Sequence, residues 1–276
     1  MSGASKIILV TGASSGIGAA IATRLAGEGH SVFGTSRKVG APRPADGVRM
    51  LVMDVCRDDS VAQAVAQVMQ AAGRIDVLVN NAGFGLAGAI EDTKPDDMRR
   101  QLDTNLLGAL RVCQAVLPVM RAQGFGRIVQ ITSLGGRVGI PFQGAYCASK
   151  FALEGMSEAL SIEVKPFGID VVMIEPGDTN SNFTAAREWT EAAKASAVYN
   201  ARAKHAVAVM AKAEESGPPS DKVARIVSRA IAAKAPKLRY VSTSAVERAA
   251  ITAQRLLPGR VFEAIVSSVY ALPKAK

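Results

Sequence analysis

The chain has 276 residues, 49% of them hydrophobic and only 5% aromatic, which is enough apolar material for one large α/β domain with a buried core. Its formal net charge of +9 comes from scattered Lys and Arg residues without a dense run, so nucleic-acid binding is not expected and an anionic cofactor or substrate is favoured. No apolar run reaches the length of a membrane span, and the apolar start IILV gives way at once to TGASSG, so neither a transmembrane segment nor a signal peptide is expected.

Short apolar runs alternate with longer amphipathic runs over the first two thirds of the chain. Strands are predicted for KIILVTG, SVFGTSR, VRMLVMDV, IDVLVNNAG, GRIVQITS and IDVVMIEPG. A long helix is predicted over 96–123, where Pro118 should bend or end it, and another over 145–165. Strands that are apolar on both faces and alternate with helices predict a Rossmann-type, doubly wound parallel sheet of about seven strands flanked by helices.

The alternation changes after Gly177. Residues 184–218 are rich in Ala and Lys, and we expect one or two short helices that form a substrate lid over the carboxyl ends of the strands. LRYVST predicts a last strand, and 243–276 reads as a helical C-terminal extension with a turn at LPG. Without a linker or an internal repeat, 1–276 is expected to form a single domain.

The glycine-rich loop TGASSGIG follows the first predicted strand and opens a helix. Glycines there allow a tight turn and a close approach to a pyrophosphate, which the free N–H groups of the helix start would bind. A tight strand-to-helix turn without a ligand is the alternative. The cofactor-binding residues expected here are Gly12, Ser14, Ser15, Gly16, Ile17 and Gly18.

The end of the second predicted strand reads Ser36, Arg37, Lys38, with no Asp or Glu. An acid at this place would bind the ribose 2′-hydroxyl of NAD, whereas an arginine accepts the 2′-phosphate of NADP. Arg37 therefore favours NADP(H) over NAD(H), the alternative being an ordinary basic pair on the surface.

Tyr146 and Lys150 stand four residues apart in a predicted helix, which places both side chains on one face. Such a pair arises often by chance. A tyrosine with a pKa near 10 is a poor base, but a neighbouring ammonium favours the phenolate and should lower that pKa. The pair is thus suited to general acid–base chemistry, with Tyr146 as the proton donor or acceptor.

These motifs, in this order, resemble the short-chain dehydrogenase/reductase family over nearly the whole chain. The resemblance implies catalytic roles for Asn105, Ser133, Tyr146 and Lys150. Ser133 would hold the substrate oxygen, Lys150 would also bond the nicotinamide ribose, and Asn105 would anchor a water that relays protons. It also implies cofactor contacts by Asp54, Val55, Asn81, Ala82, Gly83, Tyr146, Lys150, Pro176, Gly177 and Thr179. Ser181 and Thr184 compete with Thr179 for the carboxamide contact.

PFQGAYCASKFALEG, PFG at 166–168 and APKLRY at 235–240 resemble the 17β-hydroxysteroid and retinol dehydrogenase branch of that family. By the same resemblance, the helices over 96–122 and 145–165 should form subunit contacts in a homodimer or homotetramer. Three cysteines without metal-ligand spacing predict reduced thiols, a cytoplasmic location and no metal site.

The expected substrate pocket is mostly apolar, which favours a hydrophobic secondary alcohol, ketone or aldehyde. Its candidates are Leu134, Val138, Phe142, Gln143, Phe183 and Trp189, although Trp189 could equally pack inside the lid. The predicted function is therefore an NADP(H)-dependent oxidoreductase. A 3-oxoacyl (fatty-acyl) ketoreductase is the alternative, and a non-catalytic NADP-binding sensor is a third.

Overall fold

Strands and helices alternate as the sequence predicts in the computed structural model, which describes residues 5–38, 40, 45, 47–181 and 183–270. The strands are β1 (Ile7–Val10), β2 (Ser31–Ser36), β3 (Val48–Val52), β4 (Val77–Asn80), β5 (Leu86–Ala87), β6 (Gly126–Ile131), β7 (Ile169–Pro176), β8 (Glu188–Trp189) and β9 (Arg239–Ser242). The α-helices are α1 (Gly16–Gly27), α2 (Asp58–Ala72), α3 (Pro95–Leu102), α4 (Gly108–Gln123), α5 (Gly144–Val164), α6 (Glu191–Ala195), α7 (Asn200–Ser216), α8 (Ser220–Ala232), α9 (Ala245–Leu256) and α10 (Gly259–Val269).

Seven strands form one parallel sheet in the order β3-β2-β1-β4-β6-β7-β9. The chain winds outward from β1 to β3 and then crosses back to β4, so the order reverses between β1 and β4. In open α/β sheets, the crevice outside the carboxyl ends at such a reversal is the usual ligand site. The predicted Rossmann-type fold is confirmed. The glycine loop, which follows β1, lies at the crevice formed by the reversal of strand order.

Both faces of the sheet are covered by helices, which explains why the strands are apolar on both sides. Ile8 and Val10 of β1 pack with α1 and α8 on one face. Leu9, between them, packs on the other face with α2 and α4. This two-sided burial fixes the strand ends that carry the site residues.

The predicted helix over 96–123 is interrupted at a different place from the one expected. It continues through Pro118 to Gln123, where Gly124 takes a left-handed φ of 73°. The break is instead a π-helical turn at Asp103–Leu107, between α3 and α4. Such turns insert one residue into a helix and often occur at functional sites.

The lid region contains more structure than one or two short helices. β5 and β8 form a separate two-stranded parallel sheet, which ties Trp189 to Ala87 in the loop after β4. The helix α7 is 17 residues long. After β9, helices α9 and α10 follow, and α10 has no buried residue, with Val261, Ile265 and Val269 exposed. No helix among the described residues is long and apolar enough to cross a membrane.

Candidate active site

The loop between β1 and α1 brings backbone so close to its neighbours that side chains are excluded. A Cβ at Gly18 would lie 2.3 Å from the Gly12 carbonyl oxygen and 2.4 Å from Asn81 Nδ2. Gly12 has a φ of 65° and Gly16 a φ of 56°, a region that only glycine adopts freely. The start of α1, with its free N–H groups and positive dipole end, follows directly. This cradle fits a pyrophosphate-bearing dinucleotide.

Asn81, at the end of β4, holds this loop in place. Its Nδ2 donates to the carbonyls of Thr11 at 2.9 Å and Gly12 at 3.1 Å. In return, the Thr11 hydroxyl accepts from the backbone N–H groups of Asn81 and Ala82, both at 2.9 Å. Four bonds therefore join the two strand ends at the sheet reversal.

Asn105 lies on the π-helical turn and is buried behind the cavity. Its amide bonds the backbone of Phe84 with both atoms and donates to Ser149 Oγ at 3.1 Å. Ser149 in turn donates to the Tyr146 carbonyl at 2.7 Å. Asn105 thus connects the loop after β4 to the helix that carries Tyr146 and Lys150. The water-anchoring role stays a prediction.

Ser133, Tyr146 and Lys150 line one cavity, together with the glycine loop. Ser133 ends the β6 segment, and its Oγ accepts from Gly135 N–H at 3.0 Å. Tyr146 and Lys150 are one turn apart on α5, with Lys150 Nζ 5.9 Å from the centre of the Tyr146 ring. Lys150 Nζ donates to the Ile131 carbonyl at 2.8 Å, which fixes the position of the ammonium beside the end of β6.

The titration of Tyr146 differs from the sequence expectation. Burial raises its pKa to about 12, an effect that a hydrogen bond with Ser133 only partly offsets. Burial also lowers the pKa of Lys150 to about 8, against the attraction of Glu154. The expected lowering of the Tyr146 pKa is therefore not seen in the chain without cofactor, because desolvation of the phenolate is the largest effect on that pKa. Tyr146 holds its proton at neutral pH.

The cavity has a volume of about 440 Å³ and is mostly apolar. Leu134, Val138, Gln143 and Phe183 line it, as do the expected cofactor residues Gly12, Ser15, Gly16, Ile17, Gly18, Asn81, Ala82, Gly83, Pro176, Gly177 and Thr179. Phe142 and Trp189 are not part of the lining. Phe142 packs edge-on against Tyr199 at 6.5 Å, and Trp189 belongs to the small β5–β8 sheet.

The adenosine-side residues lie beyond this cavity, at the ends of β2 and β3. Arg37 is exposed just after β2 and has no hydrogen-bond or ion-pair partner within the described ranges. Asp54 follows β3, and its carboxylate accepts from Cys56 N–H at 3.0 Å. Ser14 and Val55 also lie outside the cavity lining. The positions fit an adenosine phosphate at Arg37, and their contacts remain predictions.

Three hydroxyls compete for the carboxamide side of the site. Thr179 and Ser181 line the cavity, whereas Thr184 does not, because its hydroxyl donates to the Glu214 carboxylate. Thr179 Oγ1 donates to the Gly177 carbonyl at 2.9 Å, and Ser181 Oγ accepts from Phe183 N–H. The geometry therefore leaves Thr179 and Ser181 as the candidates.

Sequence reasoning missed the polar groups that face the cavity near Tyr146. These are Asp178, Arg187, Glu214, Glu247 and Tyr270. One signal was available: Ser244 and Glu247 form a capping box at the start of α9, a pattern readable from their spacing. Glu247 also accepts from the Asp178 N–H at 2.7 Å. The two residues are 69 positions apart, so no pattern in the neighbouring sequence predicts this bond. Among the described residues, no group of three or more His, Cys, Asp or Glu could hold a metal ion.

Comparisons with known proteins agree with this geometry. The family model for short chain dehydrogenases matches residues 6–193. A 3-ketodihydrosphingosine reductase from Bacteroides thetaiotaomicron is 41% identical over 268 residues, covering 97% of this chain and 98% of that protein. The human 17-beta-hydroxysteroid dehydrogenase type 1 is 41% identical over 194 residues, covering 65% of this chain and 58% of that protein.

Among solved structures, a short-chain dehydrogenase from Streptomyces avermitilis matches with a TM-score of 0.82 and 32% identity, covering 97% of both chains. Relatives named as 17-beta-hydroxysteroid and retinol dehydrogenases are among the matches, which confirms the finer resemblance found in the sequence.

Proposed function

The chain belongs to the short-chain dehydrogenase/reductase family, and on that basis we propose that it is an NADP(H)-dependent oxidoreductase. It would transfer hydride between nicotinamide and an apolar secondary alcohol or ketone, or an aldehyde. Membership makes it an oxidoreductase that uses a nicotinamide cofactor and acts on CH–OH or keto groups; the preference for NADP(H) and the kind of substrate are the proposal. The observation that carries it is that Ser133, Tyr146 and Lys150 line the same cavity as the glycine loop.

Nicotinamide, when bound, supplies or accepts the hydride. The Tyr146 hydroxyl gives its proton to the carbonyl oxygen of the substrate and takes one back in the reverse direction. The Ser133 hydroxyl holds the same oxygen in line with Tyr146, to which it is hydrogen-bonded. In the chain without cofactor Tyr146 holds its proton at neutral pH, so it is in the form that donates to a ketone oxygen.

Lys150 and Asn105 support this proton transfer. The Lys150 ammonium, with a pKa of about 8, is charged at neutral pH and would stabilise the developing phenolate and bond the nicotinamide ribose. Asn105 holds α5 against the loop after β4 and would anchor a relaying water. The chain carries all four of these residue types at the expected positions of the sequence, which supports an enzyme over a non-catalytic NADP sensor.

NADP(H) preference is supported by Arg37, which stands at the end of β2 without an acid beside it. Its guanidinium would bind the 2′-phosphate with paired N–H groups. The segments 184–218 and 243–276 would serve as substrate lid and C-terminal extension of a single domain spanning 1–276. The three cysteines, none paired with another, support a cytoplasmic location.

We also propose that the protein is a homodimer or homotetramer. Large apolar side chains are exposed along α4, α5 and the turns beside them: Leu107 (40%), Phe125 (46%), Phe151 (44%), Ile162 (76%) and Phe167 (45%). A patch of this kind commonly marks a subunit contact. Analytical ultracentrifugation of the wild type and an Ile162→Lys variant tests this, since a monomeric wild type would contradict it.

The catalytic proposal is tested with a panel of long-chain ketones, a steroid ketone and a 3-oxoacyl thioester, following NADPH and NADH oxidation by absorbance. Tyr146→Phe should lower turnover by about 10²–10⁴-fold and leave NADPH binding intact. Tyr199→Phe is the matched control, since its exposed hydroxyl bonds Glu91 outside the cavity. Near-normal turnover by Tyr146→Phe would refute the mechanism, and preferred reduction of the thioester would favour the fatty-acyl alternative.

A further inference from the structure

One end of the cavity is polar, and it is the end next to Tyr146. The Phe183 ring packs 5.5 Å from the Tyr146 ring, and the Arg187 guanidinium lies 5.8 Å from the centre of Phe183. The charges of Arg187 and Glu214 are near enough to act on the Tyr146 hydroxyl. The polar groups therefore adjoin the place where a substrate carbonyl would meet Tyr146.

Arg187 is built into the cavity wall with one part of its fork unused. Its side chain is 2% exposed, and Nη2 bonds Glu214 at 2.5 Å. With the Gln143 amide oriented so that its oxygen faces the guanidinium, that oxygen accepts from Arg187 Nε at 3.0 Å. Within the described part of the chain, Nη1 is buried and has no partner. Because Nη1 is enclosed by protein, Arg187 acts on the cavity as a fixed positive charge in its wall and not through a free N–H group.

Asp178 is the second unused group. Its backbone N–H bonds Glu247, but its carboxylate accepts no hydrogen bond from any residue that the structure describes. Burial raises its pKa to about 6, and the neighbouring charges of Glu247 and Glu214 act in the same direction. By contrast, Glu214 is paired with Arg187 and Thr184, and Glu247 is held by two backbone N–H groups.

The charges at this end do not balance. Three carboxylates, Asp178, Glu214 and Glu247, face a single guanidinium, while Lys150 is directed to the Ile131 carbonyl. A cation bound beside Asp178 would correct that excess of negative charge. An anionic substrate group would increase it.

The rest of the cavity is apolar, and the C-terminal helices α9 and α10 border it. Its walls are formed by Leu134, Val138, Ile140, Val246, Ala250, Ile251, Phe262, Ile265, Val266 and Val269. Such walls accept an alkyl chain or another extended apolar body. The cavity is therefore complementary to an amphiphile, whose small polar head group would lie at Tyr146 and whose apolar tail would lie along α9 and α10.

We infer that the substrate is a long-chain ketone with an amino group on the carbon next to the carbonyl, whose ammonium is bound by Asp178. This inference rests on the proposed function and assigns Asp178 as its specificity-determining residue. Arg187 occupies Glu214 in an ion pair, which leaves Asp178 as the carboxylate that can bind the ammonium.

The test compares three ketones with the same alkyl chain: a 2-amino ketone, its N-acetyl derivative and the parent ketone without nitrogen. The wild type, assayed with NADPH, should show a kcat/KM for the amino ketone at least tenfold above that for the N-acetyl derivative. In Asp178→Asn, this ratio should fall by about ten- to a hundredfold, as expected for loss of a charged hydrogen bond.

The ratio of two substrates on one variant cancels any change in folding or in cofactor binding. Glu263→Gln is the control, because this carboxylate is on the outer side of α10 and pairs with Arg260; its ratio should equal that of the wild type. An unchanged ratio in Asp178→Asn, or a wild type that prefers the parent ketone, overturns the head-group assignment and leaves the reductase intact. If none of the three ketones nor any member of the broader panel is reduced, the proposed function fails and this inference with it.

Discussion

The Asn105 side chain holds the backbone of Phe84 with both of its polar atoms: Oδ1 accepts from the Phe84 N–H at 3.1 Å, and Nδ2 donates to the Phe84 carbonyl at 3.0 Å. Phe84 directly follows Gly83, and Asn105 is 1% exposed, so these bonds are shielded from solvent. The π-helical turn gives Asn105 this position, because it adds one residue between α3 and α4.

Asn105→Ala should therefore destabilise the fold by about 1–3 kcal/mol, since it removes the partner of the Phe84 N–H and the donor to Ser149 Oγ, while the Phe84 carbonyl keeps its bond from Gln101 Nε2. Urea unfolding followed by circular dichroism measures this. Gln114→Ala, at an exposed position of α4, should stay within about 0.5 kcal/mol of the wild type. If Asn105→Ala were as stable as that control, the bonds to Phe84 would not matter for the fold.

The glycine loop allows a second prediction, from the space around Gly18. A methyl group there would meet the Gly12 carbonyl at 2.3 Å, so Gly18→Ala must move the loop away from Asn81. We expect NADPH affinity to fall more than tenfold, because the backbone N–H groups that bind the pyrophosphate move with the loop.

Gly27→Ala, at the other end of α1, is the matched control for that experiment. A Cβ at Gly27 meets nothing within 4 Å, so NADPH affinity should be unchanged. Fluorescence titration of NADPH on both variants gives the comparison. Equal affinities would show that the loop does not cradle the cofactor.

The parts of the molecule that could be predicted from sequence are those that depend on neighbours along the chain. The β1 strand, the glycine loop and the pair Tyr146 and Lys150 are of this kind, because periodicity and spacing determine them locally. The π-helical turn at 103–107 was not predictable, since one inserted residue hardly alters the apolar pattern of a long helix.

What escaped prediction depends on contacts between distant segments. Arg187 and Glu214 are 27 residues apart, and nothing around either one marks a buried ion pair. The direction of the Tyr146 pKa shift was missed for the same reason: the Lys150 ammonium is on the same helix, but the burial that raises the pKa depends on how the whole chain folds around Tyr146. Polar specificity groups were therefore visible only once the fold had closed the cavity.

Arg37 gives the prediction on cofactor choice. Its exposed guanidinium has no partner within the described ranges, so Arg37→Ala should remove a bond to the 2′-phosphate and nothing structural. KM for NADPH should rise by about 10–100-fold while KM for NADH changes little. Arg260→Ala, on an arginine whose side chain is 92% exposed, should leave both values as in the wild type. Equal effects on the two cofactors would contradict the assignment.

Lys150 links stability to function. It is 6% exposed, and burial lowers its pKa from 10.5 to about 8. Between about pH 8 and 10.5 the folded chain therefore binds fewer protons than the unfolded chain, so the unfolding free energy should rise with pH across this window. Below about pH 8 the full cost of burying the ammonium is present.

Lys150→Met should remove the desolvation cost of burying the ammonium, and with it the positive charge that the proposed catalysis uses. At pH 7 the unfolding free energy of the variant should exceed that of the wild type by about 1–2 kcal/mol, and it should depend less on pH between 8 and 10.5. Its turnover should fall at least about 10²-fold. Urea unfolding at several pH values from 7 to 10 gives the stability comparison, and Lys165→Met, at a side chain that is 71% exposed, is the control. A Lys150→Met variant that is less stable at pH 7 would mean that the bond from Nζ to the Ile131 carbonyl outweighs the cost of desolvating the ammonium.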